Sequence, residues 1–196
     1  MRPLAFLDIE TSSLKPGKNN GVFGEILEVA IIIDTGNGST PIENIWRFKP
    51  MHIDEHCAKS AEINGYTERM HQYINLRPYY DVLPEIHQAL RHKRVIVVGH
   101  NVSFDINFLN YWFAVCNMSP VSPRVIDTMA LAFEHLLPCG FTSFSLSRLK
   151  SFMGYDYASH DAISDARCCR ALYYDLLRAT TLKRLWWRLK HIYTKA

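Results

Sequence analysis

Apolar positions along the chain recur in two rhythms, and the rhythms mark the elements. Leu4 to Ile9 and Ile26 to Asp34 are short, nearly continuous apolar runs that read as buried strands, and Asn44 to Lys49 reads as a third. Gly36-Asn37-Gly38 supplies the turn between the second and third. Except for the first, the links among these strands are too short for crossover helices, so the three are expected to form an antiparallel meander. Helical spacing then takes over at Asp54 to Ile63 and Tyr79 to His92. A buried-type strand follows at Arg94 to Gly99, an amphipathic helix at Phe104 to Cys116 and a short strand at Val125 to Asp127. Thr128 to Leu136, Ser145 to Met153 and Asp161 to Leu177 complete the helices. This order predicts an α/β fold, a five-stranded mixed sheet with an antiparallel meander and then parallel strands, flanked by helices. The chain carries no internal repeat and no low-complexity segment.

Composition adds limits. With 196 residues, 48% hydrophobic and 21% charged, the chain can bury one full core, as an ordinary soluble enzyme does. No apolar run approaches the roughly 18 residues that a membrane span needs, so stable membrane insertion is not expected. Met1-Arg2-Pro3 leads straight into a strand without a signal-peptide pattern, and a cytoplasmic location is the expectation. Five cysteines, odd in number and without a CxxC pair, suit reduced packing residues better than disulfides or a zinc ribbon. Charge is unevenly spread. Of the formal +3, the segment from Arg178 to Ala196 supplies +6 with no acidic residue, which leaves −3 on the first 177 residues.

Four acids fall where the predicted elements place chemistry. Asp8 and Glu10 close the first strand two positions apart, so their side chains leave the same face. Asp105 opens the helix after the fourth strand, and Asp165 lies in the first turns of a later helix. Strand ends and the adjoining helix starts are where open α/β sheets build their sites. Like charges gathered there cannot all stay ionised unless a cation joins them. An oxygen-rich set of this kind suits Mg²⁺ or Mn²⁺. Asp127 and Asp161, also near these segments, read as capping or supporting residues.

The segments carrying these acids form a pattern. Phe6-Leu7-Asp8-Ile9-Glu10-Thr11 resembles the first motif of the DEDDh (DnaQ-like) 3′-to-5′ exonucleases, which include ribonuclease T, oligoribonuclease and the proofreading subunit of bacterial replicative polymerase. Gly99-His100-Asn101-Val102-Ser103-Phe104-Asp105 resembles the second motif. His160-Asp161-Ala162-Ile163-Ser164-Asp165-Ala166 resembles the third, with a histidine five positions before the last aspartate. Lesser similarities lie at Glu62 to Thr67 and Val125 to Thr128. The resemblance covers roughly residues 4 to 177 and implies a ribonuclease H-like fold. It also implies that Asp8, Glu10, Asp105 and Asp165 hold two divalent cations with Asp8 between them, and that His160 is the general base. The product would be a nucleoside 5′-monophosphate. By the same resemblance Leu14, Ile63 and Phe104 contact terminal bases, and Thr11 assists through its backbone N–H or hydroxyl. The chain departs from the common form at Ser12-Ser13, where many relatives carry Thr-Gly.

The expected activity is therefore metal-dependent 3′-to-5′ removal of nucleotides from single-stranded DNA or RNA ends. Expected partners are those single-stranded 3′ ends, with a homodimer or a polymerase or repair protein as further candidates. Two alternatives remain open from the residues: a nuclease-like nucleic-acid-binding module without turnover, and an aspartate-nucleophile phosphohydrolase built on Asp8. Residues 1–177 are expected to be the exonuclease domain and 178–196 a basic, Trp-containing helix. That helix is expected to pack on the same domain through Leu182, Leu185, Trp186 and Leu189, with its cations outward; a nucleic-acid tether, a partner-docking helix and a membrane-surface helix are the alternatives.

Overall fold

The computed structural model describes residues 2–63, 65–73, 75–91, 95–122, 124–158 and 161–195. Strand β1 (Leu4–Thr11) is the centre of the sheet. A hairpin of β2 (Gly17–Asn19) and β3 (Val22–Gly24) follows, made of strands too short to show a period in the sequence. Next come β4 (Ile26–Asp34) and β5 (Ile42–Arg47), antiparallel to each other, with β4 antiparallel to β1. Short helices α1 (Ala58–Ile63) and α2 (Tyr66–Arg69) lead to α3 (Tyr79–Arg91). Then β6 (Ile96–Gly99) runs parallel to β1, and α4 (Val102–Val115) carries the chain on to β7 (Val125–Asp127), parallel to β6. Helices α5 (Thr128–Leu136), α6 (Leu146–Met153), α7 (Ala162–Leu177) and α8 (Thr181–Lys195) complete the chain. The sheet order β5-β4-β1-β6-β7 is the expected mixed sheet, meander first and parallel strands after.

The period of two in β1 sorts the core. Ala5, Leu7 and Ile9 face one cluster with residues of α3 and α4, whereas Leu4 and Phe6 face a second cluster with Ala162, Ile163, Ala166, Cys169 and Tyr173 of α7. Asp8 and Glu10 share parity with Leu4 and Phe6, so they emerge on the face that α7 covers. A third cluster joins α5, α6, α7 and Trp187 of α8.

Three expectations shift. Residues 54–63 do not form one helix. A 3-10 turn at Ile53–Glu55 ends in extended backbone at His56, and α1 begins afresh at Ala58. The cause is Glu25, whose buried carboxylate accepts from the N–H groups of Met51 (2.9 Å) and His52 (3.0 Å) and meets His56 Nε2 at 2.7 Å, pinning the chain before a helix can run. Strand β5 lies two residues earlier than expected, because Phe48 turns into the core and the N–H of Lys49 donates to Arg77 instead. Arg94 and His92, ends of a predicted strand and helix, lie outside the described residues.

The third correction concerns α8. Leu182, Leu185, Trp186 and Leu189 are exposed at 79, 53, 53 and 47%, while Trp187 is fully buried and His191 nearly so. A rotation of roughly 100° per residue separates Trp186 from Trp187. The pocket left beside Cys139, Phe141 and Phe152 accepts the second indole, and His191 stacks on Phe141 with ring centroids 4.1 Å apart. Lys183 ties the helix to Asp175 at 2.6 Å.

Candidate metal centre

β1 ends in a bulge between Glu10 and Thr11, where pairing with β4 slips from Glu28 to Ile26. Bulges re-aim side chains at strand ends. Here Asp8 and Glu10 point toward the first turn of α7, which Asp161 caps by accepting from Ser164 N–H (3.2 Å) and Ser164 Oγ (2.6 Å). That cap sets the phase of the helix and brings Asp165 round to the strand. One carboxylate oxygen from each of Asp8, Glu10 and Asp165 lies within 4.8 Å of the others.

Asp105 stands beside this triad and has a different attachment. Asn101 adopts a left-handed conformation (φ 62°) with its N–H bonded to Asp127 Oδ1 at 3.0 Å, so α4 starts at Val102, two residues before the sequence pattern suggests. Asp105 then falls in the first turn, only 4% exposed, and its Oδ1 accepts a 3.1 Å hydrogen bond from the N–H of Ile9, the residue between Asp8 and Glu10.

The electrostatics are those of acids short of a cation. Burial, then the charges of Asp105, Asp165, Glu10 and Asp161, hold Asp8 well above the usual carboxylate range. Burial, Asp165 and Glu28 push Glu10 up to about 8, against partial relief from Arg69. Burial also raises Asp105, although the backbone N–H groups of Asp105 itself and of Ile9 oppose the shift. Hard oxygen donors converging within 4.8 Å of one another, with Asp8 and Glu10 penalised by burial and by their neighbours' charge, fit a divalent cation.

Glu28 escaped the sequence reading. It is fully buried opposite Glu10, its Oε1 accepting from Tyr73 Oη and from Arg69 Nη1 at 3.4 Å and ion-paired with Arg47 Nε at 3.2 Å. The available signal was a lone acid in the apolar run Ile-Leu-Glu-Val-Ala-Ile, because a buried charge requires partners. Through it, the segment 65–73 is tied to the strand under the triad.

The loop after β1 is equally fixed. Ser12 N–H donates to Glu25 O (2.9 Å), Ser12 Oγ donates to Phe23 O (3.0 Å) and accepts from Glu25 N–H (2.8 Å), and its carbonyl accepts from Cys57 N–H (3.0 Å). The departure at Ser12-Ser13 thus fastens the loop to the β2–β3 hairpin and to α1. Thr11 Oγ1 donates to Ser13 O at 2.7 Å. Leu14 is 78% and Ile63 49% exposed, so neither is a core residue. Phe104 is half-buried against Phe108, with ring centroids 5.0 Å apart. His160 lies outside the described residues, as does Asn64.

With this geometry in view, the comparisons are specific. The exonuclease family model RNase_T matches residues 5–173. DNA polymerase III subunit epsilon of Treponema pallidum is 29% identical over 169 residues, which is 85% of this chain and 72% of that protein. The 3′-5′ exonuclease DinG of Staphylococcus aureus (strain USA300) is 31% identical over 200 residues, 98% of this chain but 21% of DinG. A zinc-bound complex of Escherichia coli exonuclease I with single-stranded DNA shares the fold, with a TM-score of 0.75 at 20% identity over 94% of this chain and 42% of that one. The chain therefore spans a minor part of two of these three relatives.

Proposed function

The chain belongs to the RNase_T exonuclease family, a DnaQ-like nuclease group, and from that premise we propose that it removes nucleoside 5′-monophosphates from the 3′ ends of single-stranded DNA or RNA. The observation carrying this reading is the triad of Asp8, Glu10 and Asp165 oxygens within 4.8 Å at the end of β1. Two divalent cations, Mg²⁺ or Mn²⁺, held by these residues with Asp105, would supply positive charge to the scissile phosphate and acidify the attacking water. The chain's own groups do the rest. Asp105 fixes the N–H of Ile9 and so holds Asp8 and Glu10 at a constant separation. His160, assigned by its place in the third motif, takes the proton from the water as it attacks phosphorus and the 3′ oxygen leaves. Leu14 and Ile63 offer exposed apolar surface to the terminal bases, with Phe104 and Thr11 assisting by their places in the motifs, a contact that tolerates any sequence.

In this reading residues 1–177 form the exonuclease unit and 178–196 an appended helix. Partners are single-stranded 3′ ends and, by likeness to a polymerase subunit, a polymerase or repair protein, with a homodimer as the other arrangement. The deciding experiment follows end-labelled single- and double-stranded DNA and RNA on a gel over time with Mg²⁺, Mn²⁺ or EDTA. Stepwise shortening from the 3′ end with either metal, and none with EDTA, is the expected result. Binding without shortening supports the non-catalytic module instead, and an acyl-phosphate trapped on Asp8 supports the phosphohydrolase.

A further inference from the structure

Leu182, Leu185, Trp186, Leu189 and Ile192 follow the i, i+3, i+4, i+7, i+10 spacing of one helical stripe, and each is 47% exposed or more. The opposite face is anchored by Trp187 and His191, so the stripe points directly away from the body. No helix among the described residues is long and apolar enough to cross a membrane, and a helix of this kind can only lie along a surface.

We infer that α8 docks the protein on an anionic lipid surface, its apolar stripe entering the headgroup boundary. Charge selects this occupant. From Arg178 onward there are six cations and no acid, and Arg188 and Lys190 flank the stripe on its two sides. Lys190 Nζ lies 5.1 Å from the centroid of the Trp186 ring, which pairs an interfacial aromatic with a cation. A second copy of the chain would set this cationic helix against its own like, whereas an anionic surface is attracted by the helix's net charge even with Lys183 paired to Asp175 and Lys190 donating to the Phe152 carbonyl. The first 177 residues carry the net −3 and lie behind the helix, away from the stripe.

Co-sedimentation of the full chain with vesicles tests this, comparing phosphatidylcholine alone with phosphatidylcholine doped with phosphatidylglycerol, at low and high salt. Binding at least about tenfold stronger to the doped vesicles, weakened by salt, is expected. The double variant Leu185→Glu, Leu189→Glu changes only exposed positions and should keep the melting temperature and nuclease activity while losing vesicle binding by about tenfold or more. Equal binding to neutral vesicles, unchanged binding of the double variant, or no vesicle binding at all overturns the inference. So does a dimer seen by light scattering that the double variant returns to monomer, since a second copy would then cover the stripe. Retention of an acidic amphipathic peptide by a chain that ignores vesicles overturns it too, in favour of a protein partner.

Discussion

The N–H of Ile9 donates to Asp105 Oδ1 at 3.1 Å across 96 positions of sequence. Helix α4 packs on the face of β1 that carries Ile9, opposite the face from which Asp8 and Glu10 emerge, and Asp105 meets the strand through this backbone N–H. Asp105→Ala leaves a buried N–H unsatisfied and should cost roughly 1–3 kcal/mol of stability, whereas Asp105→Asn keeps an acceptor and should cost less. Both should lose most nuclease activity. Urea denaturation beside a gel assay separates the two effects, and an Asn variant as active as wild type would remove the charge of Asp105 from the mechanism.

Raised acids make stability depend on pH in a definite direction. Glu10 is held at about 8 against an ordinary 4.5, so its contribution is fully present below about 4.5 and is lost as pH rises through about 8; Asp8 shifts the same way. In EDTA the melting temperature should therefore fall as pH rises from about 4.5 through about 8. Mn²⁺ binds the ionised carboxylates, and its stabilising effect should grow over the same interval. A melting temperature in EDTA that rises with pH throughout would contradict the arrangement.

Tyr73 and Glu28 form a buried pair at the rear of the site. Tyr73→Phe removes a donor from a buried carboxylate and should destabilise the fold by about 1–3 kcal/mol. Because the same pair ties the segment after Ile63 to β4, activity should fall more on long single strands than on a dinucleotide. Equal losses on the two substrates would reduce the pair to a purely structural role.

The two adjacent tryptophans of α8 should respond oppositely. Trp187→Ala empties a fully buried site and should cost about 3–5 kcal/mol, while Trp186→Ala should change stability by about 0.5 kcal/mol or less. Thermal melts of the two variants decide it. Similar values for both would mean that α8 does not pack as described.

His160 carries a prediction by motif alone. His160→Ala should lower turnover by a factor of about 10² to 10⁴ with Mn²⁺ affinity retained, whereas Asp8→Ala should lose both. Calorimetric titration with Mn²⁺ beside steady-state kinetics distinguishes them.

How legible the molecule was follows from the range of each interaction. The apolar runs of β1 and β4, the helices over 128–136 and 146–153 and the cap at Asp161 depend on neighbours a few positions away, and local pattern located them. The same parity put Asp8 and Glu10 on one face, and the motif spacing pointed to Asp105 and Asp165 before any contact was known. Tertiary structure decided what these residues touch. Only the packing of α7 on one face of β1 and α4 on the other separates Asp165, within the triad, from Asp105, bonded to the strand backbone. Only the partners converging on Glu28 explain an acid in a buried strand, and only the space beside Phe141 chose Trp187 over Trp186. Periodicity states that a face is apolar, but which face is buried depends on the shape of surfaces brought together from distant parts of the chain.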